Sequence, residues 1–194
     1  MSTTNKPKYL IIHHSGGIIS NPNFDSSWLT FEQIDENHRQ RWNFKSEMGF
    51  FCGYHFVIEK NGKTAQARLQ TEEGAHCQHF NAQSIGICVV GNFNLTMPTK
   101  EQEESLRKLL IELVKKWQIP IGNVVPHRRF SKTDCYGLLL KDDWAQKLAS
   151  RELLKSDKKE DIELLKKKIS VLQRIVEVYI KLLNILKIAK DRDD

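Results

Sequence analysis

The chain has 194 residues, enough for one domain with a well-formed core and an appendage. Its hydrophobic fraction of 40% and charged fraction of 28% are ordinary for a globular protein, and no stretch of 18 uncharged apolar residues suggests a membrane span. The formal charge of +6 favours anionic partners such as nucleic acid, anionic lipid or a cell-wall polymer, without choosing among them.

The cysteines and the first residues bear on the cellular compartment. Four cysteines in a chain of this length do not make a disulfide framework. Residues 1–7 contain no apolar core of a secretory signal. We therefore expect a protein that is synthesised in the cytoplasm without a signal peptide.

The first elements are a buried strand and a capped helix. Residues 8–13 are short and continuously apolar, which predicts a buried strand ending at a His13-His14 pair. After a polar loop over residues 15–27, Thr30-Phe31-Glu32-Gln33 forms a capping box. The box predicts a helix that runs to about Arg41.

The middle of the chain predicts a hairpin and a second buried strand. Residues 54–60 and 63–68 flank Asn61-Gly62, a dipeptide favoured in two-residue hairpin turns. Residues 84–91 are again continuously apolar and read as a strand buried on both faces.

A second capped helix precedes the next candidate strand. Thr99 to Gln102 is a capping box, and the apolar positions that follow recur at helical spacing. They are Leu106, Leu109, Leu110, Leu113, Val114 and Trp117. A short strand around Val124-Val125 and a closing helix over 141–150 complete an α/β fold, a central mixed β-sheet flanked by helices.

The composition changes after about residue 154, so we expect residues 1–154 to form one domain and residues 155–194 an appended helical tail. The tail has no Gly or Pro from Ile162 to Ala189, and apolar residues recur in heptads. The seam is Ile162, Leu165, Ile169, Leu172, Val176, Tyr179, Leu183 and Leu186. We predict homo-oligomerisation through residues 162–186, as in a coiled coil; the alternative is docking on a membrane or cell wall.

Metal-type ligands occur in separate segments. The apolar strand ends at His13-His14, and His127 is followed eight residues later by Cys135. Two imidazoles and one thiolate are three protein ligands, and catalytic zinc sites keep the fourth tetrahedral position open. The pattern predicts a zinc hydrolase if His13 or His14 meets the other two in the fold.

Four sequence blocks follow the order found in one known family. They are Ile11-Ile12-His13-His14-Ser15-Gly16; Gly53 to Ile58 with Asn61-Gly62 and Arg68; Gly74-Ala75-His76 with Asn81 and Ser84 to Asn92; and His127-Arg128 with Lys132 to Cys135. On these blocks, residues 8–150 resemble the zinc-dependent N-acetylmuramoyl-L-alanine amidases, which include phage amidase-type endolysins and peptidoglycan recognition proteins.

The resemblance implies a role for each matching residue. The family's metal ligands fall on His13, rather than His14, and on His127 and Cys135, which implies one Zn²⁺ per chain. Its catalytic tyrosine falls on Tyr54. The family places a Lys or Thr two positions before the cysteine, near the developing oxyanion.

Here that position is Thr133, with Lys132 beside it, and either side chain is a candidate. The family usually reads Cys-Pro-Gly where this chain reads Cys135-Tyr136-Gly137, which puts the rigidity of the loop in question.

The same resemblance makes His76 and Asn81 candidate substrate-binding residues. His38 on the first helix faces the domain and is a further candidate, or else an ordinary interfacial histidine. His76-Cys77-x-His79 is too crowded along the chain for a second metal site.

The resemblance implies a bacteriolytic hydrolase with peptidoglycan as its partner. The bond cut would join N-acetylmuramic acid to L-alanine, and the enzyme would act on the cell wall after release, as a phage endolysin or a host enzyme. The alternative is a non-catalytic peptidoglycan-binding module of the same fold. We expect no nucleic-acid partner, because no recognition motif accompanies the charge.

Overall fold

The computed structural model of this chain describes residues 4–17 and 21–190, with the backbone alone for residues 151, 155–160 and 183–190. The strands are β1 (Tyr9–His14), β2 (Phe56–Ile58), β3 (Thr64–Gln66), β4 (Ser84–Val89) and β5 (Val124–Pro126). The helices are α1 (Phe31–Trp42), α2 (Lys100–Trp117) and α3 (Trp144–Lys190).

The strands form one mixed sheet in the order β3-β2-β4-β1-β5. Strand β1 lies parallel to both β4 and β5, β2 lies parallel to β4, and β3 is the antiparallel edge. The prediction of a mixed sheet with helices is confirmed.

The register of the parallel strands brings the two sequence-distant histidines together. Ile12 of β1 pairs with Pro126 of β5, so the residues that come next, His13 near the end of β1 and His127 just after β5, lie side by side where these two parallel strands end. On the other side of β1, His13 pairs with Cys88. In-register neighbours share a face of a sheet. His13 therefore lies on the face where Cys88 packs with Ile34 of α1.

The hairpin is present, but its loop is longer than predicted. Backbone N–H of Glu59 donates to the carbonyl of Lys63 at 2.9 Å, and Gly62 N–H donates back to Glu59 at 2.8 Å. The loop is therefore Lys60-Asn61-Gly62, three residues, with Gly62 at a φ of 84°. A turn followed by a left-handed glycine is the usual three-residue hairpin connection.

Both predicted capping boxes start helices. Thr30 caps α1 and Thr99 caps α2, and in each case the glutamine three residues later returns a hydrogen bond to the cap backbone. Each helix ends where one residue turns left-handed, Asn43 after α1 and Gln118 after α2. Helix α1 extends one residue beyond the predicted Arg41.

The predicted closing helix and the predicted tail helix are one continuous helix, α3. No Gly or Pro interrupts residues 141–190, and the charged run between the two predicted helices is compatible with helix. The chain divides into two compact units, Met1–Arg151 and Glu152–Asp194. None of the described helices is both long and apolar enough to cross a membrane.

Candidate metal centre and adjoining cleft

Three ligand-type side chains converge at the edge where β1 and β5 end. The ligand atoms of His13, His127 and Cys135 all lie within 4.8 Å of one another. His13 Nδ1 is 3.7 Å from Cys135 Sγ. A tetrahedral zinc ion with its usual bond lengths separates a nitrogen and a sulfur ligand by roughly 3.6 Å. The donor set and its spacing therefore fit one zinc ion.

His14 lies on the opposite side of β1 and has other partners. Its Nδ1 accepts a hydrogen bond from the backbone N–H of Phe93 at 3.1 Å. Its own backbone N–H points to Cys135 Sγ at 3.4 Å, a contact that favours the thiolate. The alternation of β1 thus separates the two histidines and brings only His13 of the pair into the cluster.

His76 contacts His13 at the ring nitrogen that does not face Cys135. Its Nδ1 lies 3.1 Å from His13 Nε2, and with His13 Nδ1 turned toward Cys135 the Nε2–H is the atom that donates. Such an outer partner fixes the tautomer and ring orientation of a ligating histidine. The fit is close, because a Cβ added at Gly86 of β4 would come within 2.5 Å of the His76 ring. The sequence predicts His76 as a cleft residue and gives no signal for this contact.

Burial sets the protonation of the cluster. It lowers the pKa of His13 well below 6.5, and neighbouring His76 and His127 lower it further. Burial also lowers the pKa of His127. Both rings are therefore neutral, the form that binds a metal. Burial raises the pKa of the Cys135 thiol to about 12, and metal coordination acts in the opposite direction because a coordinating thiol loses its proton.

Arg128 holds the loop that carries Cys135. Its backbone N–H donates to the carbonyl of Cys135 at 2.8 Å, which closes the loop from His127. Its guanidinium donates to the carbonyls of Gly137 and Leu140 and to the Asp142 carboxylate, at 2.7, 2.6 and 2.6 Å.

Beneath this arginine, Tyr136 is fully buried and its O–H donates to the carbonyl of Lys141 at 2.8 Å. These hydrogen bonds of Arg128 and Tyr136 therefore hold the loop in the absence of the proline that the family usually has there.

Tyr54 lies beside the cluster and is held there by the backbone before it. Asp35 of α1 accepts from the N–H groups of Phe51 and Cys52 at 2.6 and 2.7 Å, and buried Arg68 donates to the carbonyl of Cys52 at 2.7 Å. The Tyr54 ring centroid is 5.0 Å from that of His13. Burial raises the pKa of Tyr54 well above 10, with smaller contributions from nearby cysteines, so the phenol keeps its proton and can donate it in a hydrogen bond.

The two candidate oxyanion donors lie on the surface of the Cys135 loop. Thr133 and Lys132 are both exposed. Thr133 Oγ1 accepts a hydrogen bond from the N–H of Cys135 at 3.3 Å, so it helps to shape the turn into the ligand. Which of the two serves the site stays a prediction.

Asn81 and His38 each hold backbone next to the site. Asn81 Oδ1 accepts from the N–H groups of His76 and Cys77 at 2.9 and 2.8 Å, which fixes the segment that carries His76. His38 Nδ1 accepts from the N–H of Gly53 at 2.9 Å, directly before Tyr54. Their predicted roles in substrate binding stay predictions, beside these structural contacts.

A cleft opens between α1 and Tyr54. Its volume is about 780 Å³, within the range of small-molecule sites. Besides Tyr54 and His38, it is lined by Gln33, Asn37 and Arg41, which recur every four residues along one side of α1, and by Trp42. These helix residues are not among the site residues predicted from the sequence. Their i, i+4 spacing was the available signal, because it places polar groups on one stripe of the helix.

A family model described as N-acetylmuramoyl-L-alanine amidase (Amidase_2) matches residues 3–137. Among curated proteins, the chain is similar to peptidoglycan-recognition protein SC2 of Drosophila melanogaster, with 31% identity over 70% of this chain and 71% of that protein. It is also similar to the endolysin of Klebsiella phage KP32, with 30% identity over 64% of this chain and 82% of the endolysin.

Solved structures of similar proteins have the same fold as this chain. The chain is similar to the N-acetylmuramoyl-L-alanine amidase LysC of Clostridium intestinale, with a TM-score of 0.56 and 29% identity over 71% of this chain and 84% of that one. Its fold also matches the Ph2119 endolysin of a Thermus scotoductus bacteriophage, with a TM-score of 0.58 at 21% identity.

Proposed function

The chain belongs to the N-acetylmuramoyl-L-alanine amidase family, and on that basis we propose that it is a zinc-dependent peptidoglycan hydrolase. The bond cut is the amide between N-acetylmuramic acid and L-alanine. The observation that carries the proposal is the convergence of His13, His127 and Cys135 beside Tyr54. The similarity to proteins named endolysin and N-acetylmuramoyl-L-alanine amidase supports action on the cell wall after release, in phage-type lysis or as a host enzyme.

Each residue of the site would have a separate role in such a reaction. His13, His127 and Cys135 would hold one Zn²⁺, whose chemistry would be Lewis-acid activation of a water molecule and of the scissile carbonyl. Tyr54 donates its phenolic proton in a hydrogen bond to the carbonyl oxygen as negative charge develops there. Thr133 or Lys132 supplies a second donor from the loop.

The cleft beside α1 is the proposed place for the rest of the substrate. It reaches Tyr54, so a muropeptide lying along α1 would present its amide next to the cluster. Asn37 offers its amide group to the peptide backbone, Gln33 offers its side-chain N–H groups because its oxygen accepts from Thr30, and Trp42 offers an apolar surface.

The first test is the chemistry on purified cell walls. We expect digestion to release muropeptides with new free L-alanine amino termini, and bound zinc near one per chain by elemental analysis. Cys135→Ala should lose both the zinc and at least about 1000-fold in rate, since a metal ligand is removed. Cys77→Ala, which removes another buried cysteine, is the matched control and should retain both.

Full activity of Cys135→Ala, or of chelated protein, would contradict the proposal. The second candidate function is a peptidoglycan-binding module, because relatives such as protein SC2 carry recognition in their name. That reading is favoured if the zinc-loaded protein sediments with walls and no new amino termini appear.

A further inference from the structure

The tail of α3 presents an apolar seam to solvent. The side chains at the first and fourth heptad positions, a and d, are between 46 and 63% exposed. They are Ile162, Ile169 and Val176 at a, and Leu165, Leu172 and Tyr179 at d. The predicted continuation, Leu183 and Leu186, lies outside the described side chains. A helix face of this kind is stable in water only when another surface covers it.

The side chains on the seam match one type of partner. The a positions are β-branched, Ile162, Ile169 and Val176, and the first two d positions are leucines. In parallel coiled coils, β-branched residues at a with leucine at d are the favoured packing of two strands. The seam carries no charged side chain over these heptads.

The flanking positions point to the same partner. In a parallel, in-register pair, each g residue faces the e residue five positions later on the other helix. Asp161 would then face Lys166, an acid with a base. Lys168 would face the amide of Gln173, and Ile175 would face Ile180.

Each of these pairs joins side chains of compatible chemistry. In an antiparallel pair g residues face g residues and e residues face e residues, so Asp161 at g would no longer face Lys166 at e.

We propose that residues 162–182 of α3 pair in parallel and in register with the same segment of a second copy of this chain. The partner is therefore the chain itself. A second exposed stripe, Leu164, Val171 and Val178, occupies the c positions and would stay in water in such a coil.

A lipid surface fits the same segment less well. At 100° per residue, Lys168 falls inside the wide apolar arc, between the second stripe and the seam, where a membrane-lying helix would bury it. In a coiled coil the same lysine is a flank residue. Residues 161–182 also carry three acidic side chains beside five basic ones, a weak net attraction for anionic lipid.

The mass of the full chain in solution tests the proposal. We expect sedimentation or light scattering to give at least twice 22.6 kDa. Ile169→Glu places a charge on the seam and should return the mass to one chain. Ser170→Glu adds the same charge one residue later, on the polar face, and should leave the assembly intact. Both residues are exposed, so the catalytic unit should keep its fold and its bound metal.

Cross-linking tests the direction. With Leu165→Cys, a parallel in-register pair brings residue 165 of two copies together, and an oxidant should join them rapidly. The native chain is the control, because its four cysteines are buried. Absence of the cross-link in an oligomer would overturn the parallel arrangement. A full chain that is monomeric, or that floats with phosphatidylglycerol vesicles as a monomer, would overturn the proposal itself.

Discussion

Tyr54 is the residue at which the ligand cluster and the cleft meet. Its ring lies 5.0 Å from that of His13 and 5.4 Å from that of His38, and it lines the cavity along α1. Since its raised pKa keeps the phenol protonated, its hydroxyl is a permanent donor at neutral pH. A donor fixed in place before charge develops contributes most in the transition state.

We therefore expect Tyr54→Phe to lower kcat by about 100- to 1000-fold while KM and zinc content change little. The ring and its packing stay, and only the donor is lost. Steady-state kinetics on a soluble muropeptide give the two parameters. Tyr9→Phe is the control, because Tyr9 packs on Phe80 and Phe130 away from the cluster. An unchanged kcat in Tyr54→Phe would remove Tyr54 from the chemistry.

At the scale of elements, strands β1, β4 and β5 determine the geometry of the cluster. The first and last of them deliver His13 and His127 to adjacent positions, and β4 supplies the space beside them. Gly86 of β4 leaves room for the His76 ring, and a Cβ added at Gly74 would also come within 2.5 Å of that ring. A side chain at either place would displace the imidazole that holds His13.

We expect Gly86→Ala to weaken zinc binding by about 10-fold or more and to lower the free energy of unfolding by about 1–3 kcal/mol. The added methyl would lie within 2.5 Å of the His76 ring, so the ring must move. Zinc titration and denaturant unfolding measure the two effects. Gly122→Ala is the matched control, since nothing lies within 4 Å of its added carbon. Equal zinc affinity in both variants would show that His76 does not position His13.

At the scale of the whole molecule, the proposed assembly would join two copies of the unit that carries the metal cluster. Peptidoglycan is a polymer that presents many copies of the same site. Linked units bind such a surface with an avidity well above that of one unit. The tail would then raise the affinity for the wall and leave kcat unchanged.

Ile169→Glu should accordingly bind insoluble walls about 100-fold more weakly than the native chain, with kcat on a soluble muropeptide unchanged. Wall co-sedimentation and soluble-substrate kinetics separate the two. Ser170→Glu should behave like the native chain in both assays. Equal wall binding by a monomeric Ile169→Glu would show that the assembly contributes no avidity.

Several features of the chain could be predicted because they depend on neighbours in sequence. The capping boxes at Thr30 and Thr99 begin helices as expected, since a cap involves only the first turn. The hairpin forms at Asn61-Gly62, but its loop gains Lys60. The closing helix and the tail helix, predicted separately, form one helix, α3, since charge alone does not end a helix.

The sequence by itself determined the mixed fold, the candidate ligands and the tail's heptad pattern, because hydrophobic periodicity and side-chain chemistry depend only on the order of the residues. Only the tertiary structure decided how these parts meet. The parallel register of β1 and β5 brings His13 and His127 together across more than a hundred residues, and it turns His14 away. Other features also depend on contacts between distant segments, which no local pattern encodes. They are the contact of His76 with His13, the hydrogen bonds of Arg128 across the Cys135 loop, and the polar side of α1 that lines the cleft with Tyr54.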